Sequence, residues 1–151
     1  MSNNCLICDR IHTIKNGTNP YFVKELTTGY VVLGDHQFYQ GYTLFLCKEH
    51  TSELHFLEND FKSQFLQEMS LVAEAVFNTF QPDKLNYELL GNTDEHLHWH
   101  IFPRRKSDPQ PKRTIWTIDR EIRENPKYQP DPDQLGKMKS LLFQQIALLH
   151  K

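Results

Sequence analysis

The sequence predicts an α+β fold, an antiparallel sheet with one long helix packed on it and a second helix towards the end of the chain. Three patterns predict it. Residues 96 to 102 read HLHWHIF, alternating histidine with apolar residues, and period two belongs to a strand. Phe61, Phe65, Met69, Val72, Val76 and Phe80 recur at spacings of four, four, three, four and four, the period of an amphipathic helix. Two short β-prone runs, Tyr30 to Leu33 and Tyr42 to Cys47, flank the segment GDHQFYQG, whose glycines suit a turn between antiparallel neighbours.

The remaining elements follow in order. Asn59 or Asp60 is available to cap the long helix and Pro82 stands just beyond its end. Lys84 to Leu90 and Leu97 to Phe102 read as two more strands, joined by a tight connection through Gly91, Asn92, Thr93 and Asp94. Six of the eight prolines fall between 103 and 132, so that stretch should run extended or turning and wrap the core. A last helix over 133 to 150 carries Leu135, Met138, Leu142 and Leu149 on one side, with Pro132 at its start. A chain of 151 residues suits a single domain over 1–151 that buries roughly two thirds of its unfolded surface.

Composition narrows the partners. A net charge of −2 with 24% charged residues offers no basic field for a nucleic acid polymer, so any phosphate binding is local. The start lacks a positively charged leader with an apolar stretch, and nowhere does an apolar run reach the roughly 18 residues of a membrane span. A soluble, cytoplasmic protein with no membrane partner is expected. Cys5 and Cys8 form a C-x-x-C pair while Cys47 stands alone, poor material for a disulfide framework and better material for half a zinc site.

On a strand His96, His98 and His100 share one face, while Leu97, Trp99 and Ile101 turn to the other, where the long helix can cover them. The plain reading is the wet face of a sheet, but three in alternation from 8 histidines in 151 residues argue for function. One metal held by all three strains geometry: a rise near 3.3 Å per residue puts the outer Cα atoms about 13 Å apart, while zinc takes ring nitrogens at about 2 Å. A His-x-His pair completed by a distant ligand, as in a zinc-dependent hydrolase, stays open. So does phosphorus chemistry, in which a row of imidazoles supplies a nitrogen nucleophile flanked by donors for phosphate oxygens.

These residues resemble the histidine-triad (HIT) superfamily. His96 to Phe102 fits its His-φ-His-φ-His-φ-φ signature, with φ apolar. Gln40 to His50 (QGYTLFLCKEH) is similar to its Gly-His-Thr-Leu…Pro-Lys-x-His strand, and Asn86 to Asn92 to the strand before the triad. The resemblance covers 5 to 104. It implies a HIT-like sheet of about five strands and, for function, a nucleotide hydrolase or nucleotidyl transferase working on a nucleoside phosphate ester, anhydride or phosphoramidate. By the same resemblance His98 attacks the α-phosphorus to form a nucleotidyl-histidine, and His100 hydrogen-bonds the phosphate or leaving group. Asn92 and Thr93 fall where the family places phosphate contacts, and Asp35 where it holds ribose hydroxyls. Zinc-bearing relatives add a structural metal, whose ligands match Cys5, Cys8, His50 and His96, and members are commonly homodimers.

The sequence departs from the family in three places. Tyr42 replaces a histidine, Cys47 stands where proline is usual, and the linker before the triad is short, which suggests a bacterial, diadenosine polyphosphate hydrolase-like branch. Arg104, Arg105 and Lys106 read as a solvated turn or as bait for a polyanion, and Trp116 as a core residue or a visitor to a partner's site. A nucleotide- and zinc-binding module without turnover uses the same face and remains the alternative.

Overall fold

The computed structural model describes residues 4–150. Five strands, β1 (Phe22–Glu25), β2 (Gly29–Leu33), β3 (Thr43–Cys47), β4 (Lys84–Glu88) and β5 (His98–Arg104), form one sheet in the order β1-β2-β3-β5-β4, every neighbouring pair antiparallel. The helices are α1 (Leu6–Lys15), α2 (Asn59–Phe80), the single turn α3 (Arg120–Arg123) and α4 (Pro132–Leu149). Among the described residues no helix is long and apolar enough to cross a membrane.

One face of the sheet carries the main core. Val31, Leu33, Phe45 and Ile101 point there and meet Phe65, Val72 and Val76 of α2 and Leu135, Leu142 and Ile146 of α4. The period predicted for α2 is the one observed, and Trp99 reaches Phe65 with ring centroids 6.5 Å apart. Its cap is neither Asn59 nor Asp60. Glu58 takes that position, its carboxylate accepting the N–H groups of Asp60 and Phe61. In α4 the Asp131 and Gln134 side chains form a reciprocal capping box ahead of Pro132.

Among the described residues the opposite face is covered at its two ends only. Ile7 and Ile11 of α1 pack on Tyr30, Val32 and Leu46, while Ile115 of the proline-rich segment packs on Tyr39 and Phe102. That segment wraps the sheet as expected but contains short helical turns at Ile115–Thr117, Arg120–Arg123 and Pro126–Tyr128. Between the two covers the face is open, and the second and third histidines stand in the gap.

Several predicted boundaries shift. β4 ends at Glu88, two residues early, and the connection to β5 runs from 89 to 97 instead of four residues. β5 begins at His98 and continues through Pro103 to Arg104. Proline is tolerated there because β3 begins at Thr43 opposite Ile101, leaving no strand on that flank to receive an N–H. His96 therefore precedes the strand.

Gly41 turns the chain into β3 with φ of +95°, and a Cβ there would stand 2.6 Å from the Phe80 ring and 2.9 Å from the Pro103 ring. Both the left-handed backbone and the crowding oppose any side chain. Gly41→Ala should lower stability by about 2 kcal/mol or more, read as a drop in the urea midpoint at unchanged slope; an unchanged midpoint would contradict this account of the turn.

Candidate active site and metal centre

Two neighbouring sites are built on the open face. The first gathers four of the predicted residues. The ligand atoms of Cys5, Cys8, His50 and His96 lie within 4.8 Å of one another. The Cys8 backbone N–H donates to the Cys5 sulfur at 3.2 Å, making a cysteine the cap of α1. The His96 ring turns Nδ1 towards both thiols, at 3.5 Å from Cys5 and 3.4 Å from Cys8, and lies 3.2 Å from the His50 Nδ1. Its Nε2 lies 2.7 Å from the backbone carbonyl of Cys47. A carbonyl only accepts, so Nε2 carries the proton and Nδ1 presents its lone pair to the cluster.

Two thiols and two imidazoles converging from one short helix, one loop and the approach to β5 are the donor set of a tetrahedral zinc centre, and the group fits that ion. Burial, then the hydrogen bond and charge of Cys5, push the Cys8 thiol up to about 11, so it surrenders its proton readily only to a strongly competing cation. Burial also lowers the His96 ring from its ordinary value, which keeps it neutral as a ligand must be. Of the three alternating histidines, the first faces the cysteines, whereas the other two take different partners through Nδ1.

The second site holds those two. The His98 ring is buried, at 6% exposed, yet it lines two cavities, one of about 660 Å³ on this face and one of about 370 Å³ beside it. Its Nδ1 lies 2.7 Å from the His96 carbonyl. By the same logic Nδ1 is the protonated nitrogen, and Nε2 is left with a lone pair and no protein partner among the described residues. The His100 ring stands edge to face with it, centroids 4.8 Å apart. Burial, then the neighbouring His98, pull His100 down to about 3, so it is neutral at working pH. Its Nδ1 is 2.7 Å from the Tyr42 hydroxyl.

The other predicted residues divide. Asn92 and Thr93 are exposed and line the larger cavity, Asn92 the smaller one too. Asp35 lies on the same wall, its two carboxylate oxygens accepting from Arg10 at 2.9 and 3.1 Å. That bidentate bond, outweighing partial burial, raises Arg10 further above its ordinary value. The basic run after the triad divides: Lys106 is exposed in a turn, as one of the two readings expected, whereas the two arginines are engaged by the protein. Arg104 is buried against Asp108, Asn86 and the Arg113 carbonyl, and Arg105 donates to the carbonyls of Gln40 and Phe80.

Trp116 corrects its expectation as well. It is not a core residue but 46% exposed, with its ring 6.1 Å from His100 and its indole N–H donating to Glu88 at 2.6 Å. Arg123 lies over its ring at 5.0 Å. Sequence reasoning missed Arg10, Arg120 and Arg123 on the cavity wall. Only Arg10 carried a local signal, two residues after Cys8 on a helix that the sequence reading did not place.

Residues 22–107 match the model of the HIT domain. Among solved structures the fold is similar to a histidine triad protein from Bradyrhizobium japonicum, with a TM-score of 0.73 and 25% identity over 83% of this chain and 89% of that one. It is also similar to a Zn-bound histidine triad family protein from Mycobacterium smegmatis, with a TM-score of 0.65 and 22% identity over 99% and 98% of the two chains. A member of the HIT family from Bacillus subtilis follows, with a TM-score of 0.60 and 23% identity over 91% and 94%. No curated protein matches the chain. With more than half of its length under the family model and the alternating histidines inside that match, the chain belongs to the HIT domain family.

Proposed function

We propose that the protein is a nucleotide hydrolase or nucleotidyl transferase acting at the α-phosphate of a nucleoside phosphate ester, a dinucleoside polyphosphate or a nucleoside phosphoramidate. Membership in a family of nucleotide-binding hydrolases and transferases supports the class. The observation that carries the reading is the cavity-lining His98 ring held through Nδ1 on the His96 carbonyl, which leaves Nε2 with no protein partner among the described residues.

In this reading the Nε2 lone pair attacks the α-phosphorus and the bond from phosphorus to the bridging oxygen or nitrogen breaks, its electron pair leaving with the departing group. The ring becomes a cation on bonding to phosphorus, and the His96 carbonyl oxygen, already accepting from Nδ1–H, stabilises that charge. Water then attacks the phosphorus, the P–N bond breaks, and His98 returns with a nucleoside monophosphate released; an acceptor other than water makes the same step a transfer. His100 hydrogen-bonds the phosphate or bridging atom, Asn92 and Thr93 contact phosphate oxygens, and Asp35, oriented by Arg10, receives the ribose hydroxyls.

Cys5, Cys8, His50 and His96 hold a structural zinc, which supplies a rigid tie between α1 and the segment entering β5. One HIT-like unit spans the chain. It works in the cytoplasm, where three unpaired cysteines stay reduced, and as a homodimer through the edge beside β4, where Tyr87 and Leu90 are exposed. The partner is a small nucleotide, with neither nucleic acid polymer nor membrane.

Intact-mass analysis tests the reading. Seconds after mixing with a panel of adenylated and guanylated substrates, the protein should gain one nucleotidyl group, lost again as product accumulates. Nucleotide binding with neither adduct nor turnover would replace the enzyme with a binding module.

A further inference from the structure

Tyr42 occupies a position whose family residue is a histidine, and the surroundings show what it does. Its hydroxyl and the His100 Nδ1 lie 2.7 Å apart, and among the described residues neither atom has another hydrogen-bond partner. A carbonyl beside Nδ1, as at His98, would demand a proton on that nitrogen. A phenol does the opposite. Burial raises Tyr42 above its ordinary value, so it keeps its proton, and that proton has one protein acceptor, the lone pair of Nδ1. If Nδ1 carried the hydrogen instead, two donors would face each other unless the phenol turned its proton away with no protein partner.

The rings cannot evade this by rotating. Tyr42 stacks on Phe102 at 4.1 Å and 12°, and His100 lies nearly parallel to Phe102 at 7° with centroids 5.7 Å apart. Gly34 leaves the space that the Tyr42 ring fills, since a Cβ there would overlap it. The Tyr42 backbone is fixed in turn, its N–H donating to the Tyr39 carbonyl and its carbonyl accepting from Gly34 and Gln37.

We propose that Tyr42 is a positioning residue that locks neutral His100 in the tautomer with hydrogen on Nε2, opposite to that of His98. Two adjacent imidazoles thus reach the cleft in complementary forms, a lone pair on the Nε2 of His98 and an N–H on the Nε2 of His100. The consequence for chemistry rests on the phosphorus reading above. The Nε2–H of His100 hydrogen-bonds the bridging atom as the bond to phosphorus breaks, and stabilises the electron pair that the leaving group takes away. Tyr42 therefore matters most where the leaving group is a poor one.

Nitrogen-15 correlation spectra of the full-length protein test the first part without reference to activity. His100 should show a protonated Nε2 and an unprotonated Nδ1, and His98 the reverse; a protonated Nδ1 on His100 overturns the proposal. Tyr42→Phe keeps the stack and removes the hydroxyl. It should leave the melting temperature within a few degrees, mix the His100 tautomers, and lower kcat about 10- to 100-fold with an alkyl ester or amine leaving group. With a p-nitrophenyl nucleotide ester, which leaves without help, the loss should be less than about 3-fold. Equal losses with both substrates overturn the catalytic part, as would a variant whose tautomer stays fixed. Tyr42→His supplies another N–H donor and should recover much of the lost rate. Absence of any turnover in the wild type would refute the functional reading, while the spectra still decide the role of Tyr42.

Discussion

His98→Ala should lower turnover of any nucleotidyl substrate by about 10³-fold or more and abolish the covalent adduct, because it removes the atom proposed to bond to phosphorus. Residual activity then comes from the groups that only position and polarise the phosphate. The fold should survive. Among the described residues the His98 side chain makes a single hydrogen bond, to the carbonyl two residues back, and the main core lies on the other face of the sheet. Loss of one buried ring costs on the order of 1–3 kcal/mol, small enough for comparison at a temperature where both forms are folded. His100→Ala should fall short of that, at about 10²-fold, since it deletes one donor and spares the nucleophile. Wild-type rates from His98→Ala, or an adduct mapped to another residue, would end the nucleophile assignment. Equal losses in the two variants would point instead to a water attacking directly within a site that needs both rings.

The contrast between His98 and His100 shows which part of the site was legible in the sequence. Alternation placed them together on one face, because strand geometry turns residues two apart the same way. The tautomers were not legible, since they depend on a carbonyl two residues upstream in one case and a tyrosine just ahead of a different strand in the other. The same division runs through the fold. The α2 stripe and the β2–β3 pairing came from local periodicity and survive, whereas β1, four residues reading FVKE with no strict alternation, offered too little pattern. Helix α1 was missed because its cap is a cysteine sulfur, outside the usual set of capping side chains. Asp35 was placed on the cavity by resemblance, but its partner Arg10 was not, because that ion pair joins α1 to the loop after β2. Trp116 misled for a similar reason: an apolar patch reads as core, and only the packed chain shows Ile115 turning in while the indole turns to His100 and Glu88.

Purified protein should carry about one zinc per chain, and Cys8→Ser or treatment with a strong chelator should lower the melting temperature by roughly 10 °C, on the order of 3 kcal/mol at this chain length. The reasoning starts from connectivity. α1 is held to the sheet by a small cluster, Ile7 and Ile11 on Tyr30, Val32 and Leu46, and by the Arg10 to Asp35 pair, which is partly exposed and contributes little by itself. The four ligands come from α1 and its cap, from the loop after β3 and from the approach to β5, so losing them frees three segments at once. Activity should fall with the metal but not vanish. His96 is fixed at Nδ1 by the cluster and at Nε2 by the Cys47 carbonyl, and its own backbone carbonyl orients His98. Removing the first restraint loosens the aim of the nucleophile while leaving the nucleophile present. A 10-fold drop in kcat that grows with temperature fits that chain of contacts. Complete loss of activity at a temperature where the metal-free protein is still folded would make the metal part of the chemistry. An unchanged melting temperature, with no zinc found, would reduce Cys5, Cys8, His50 and His96 to a hydrogen-bonded cluster.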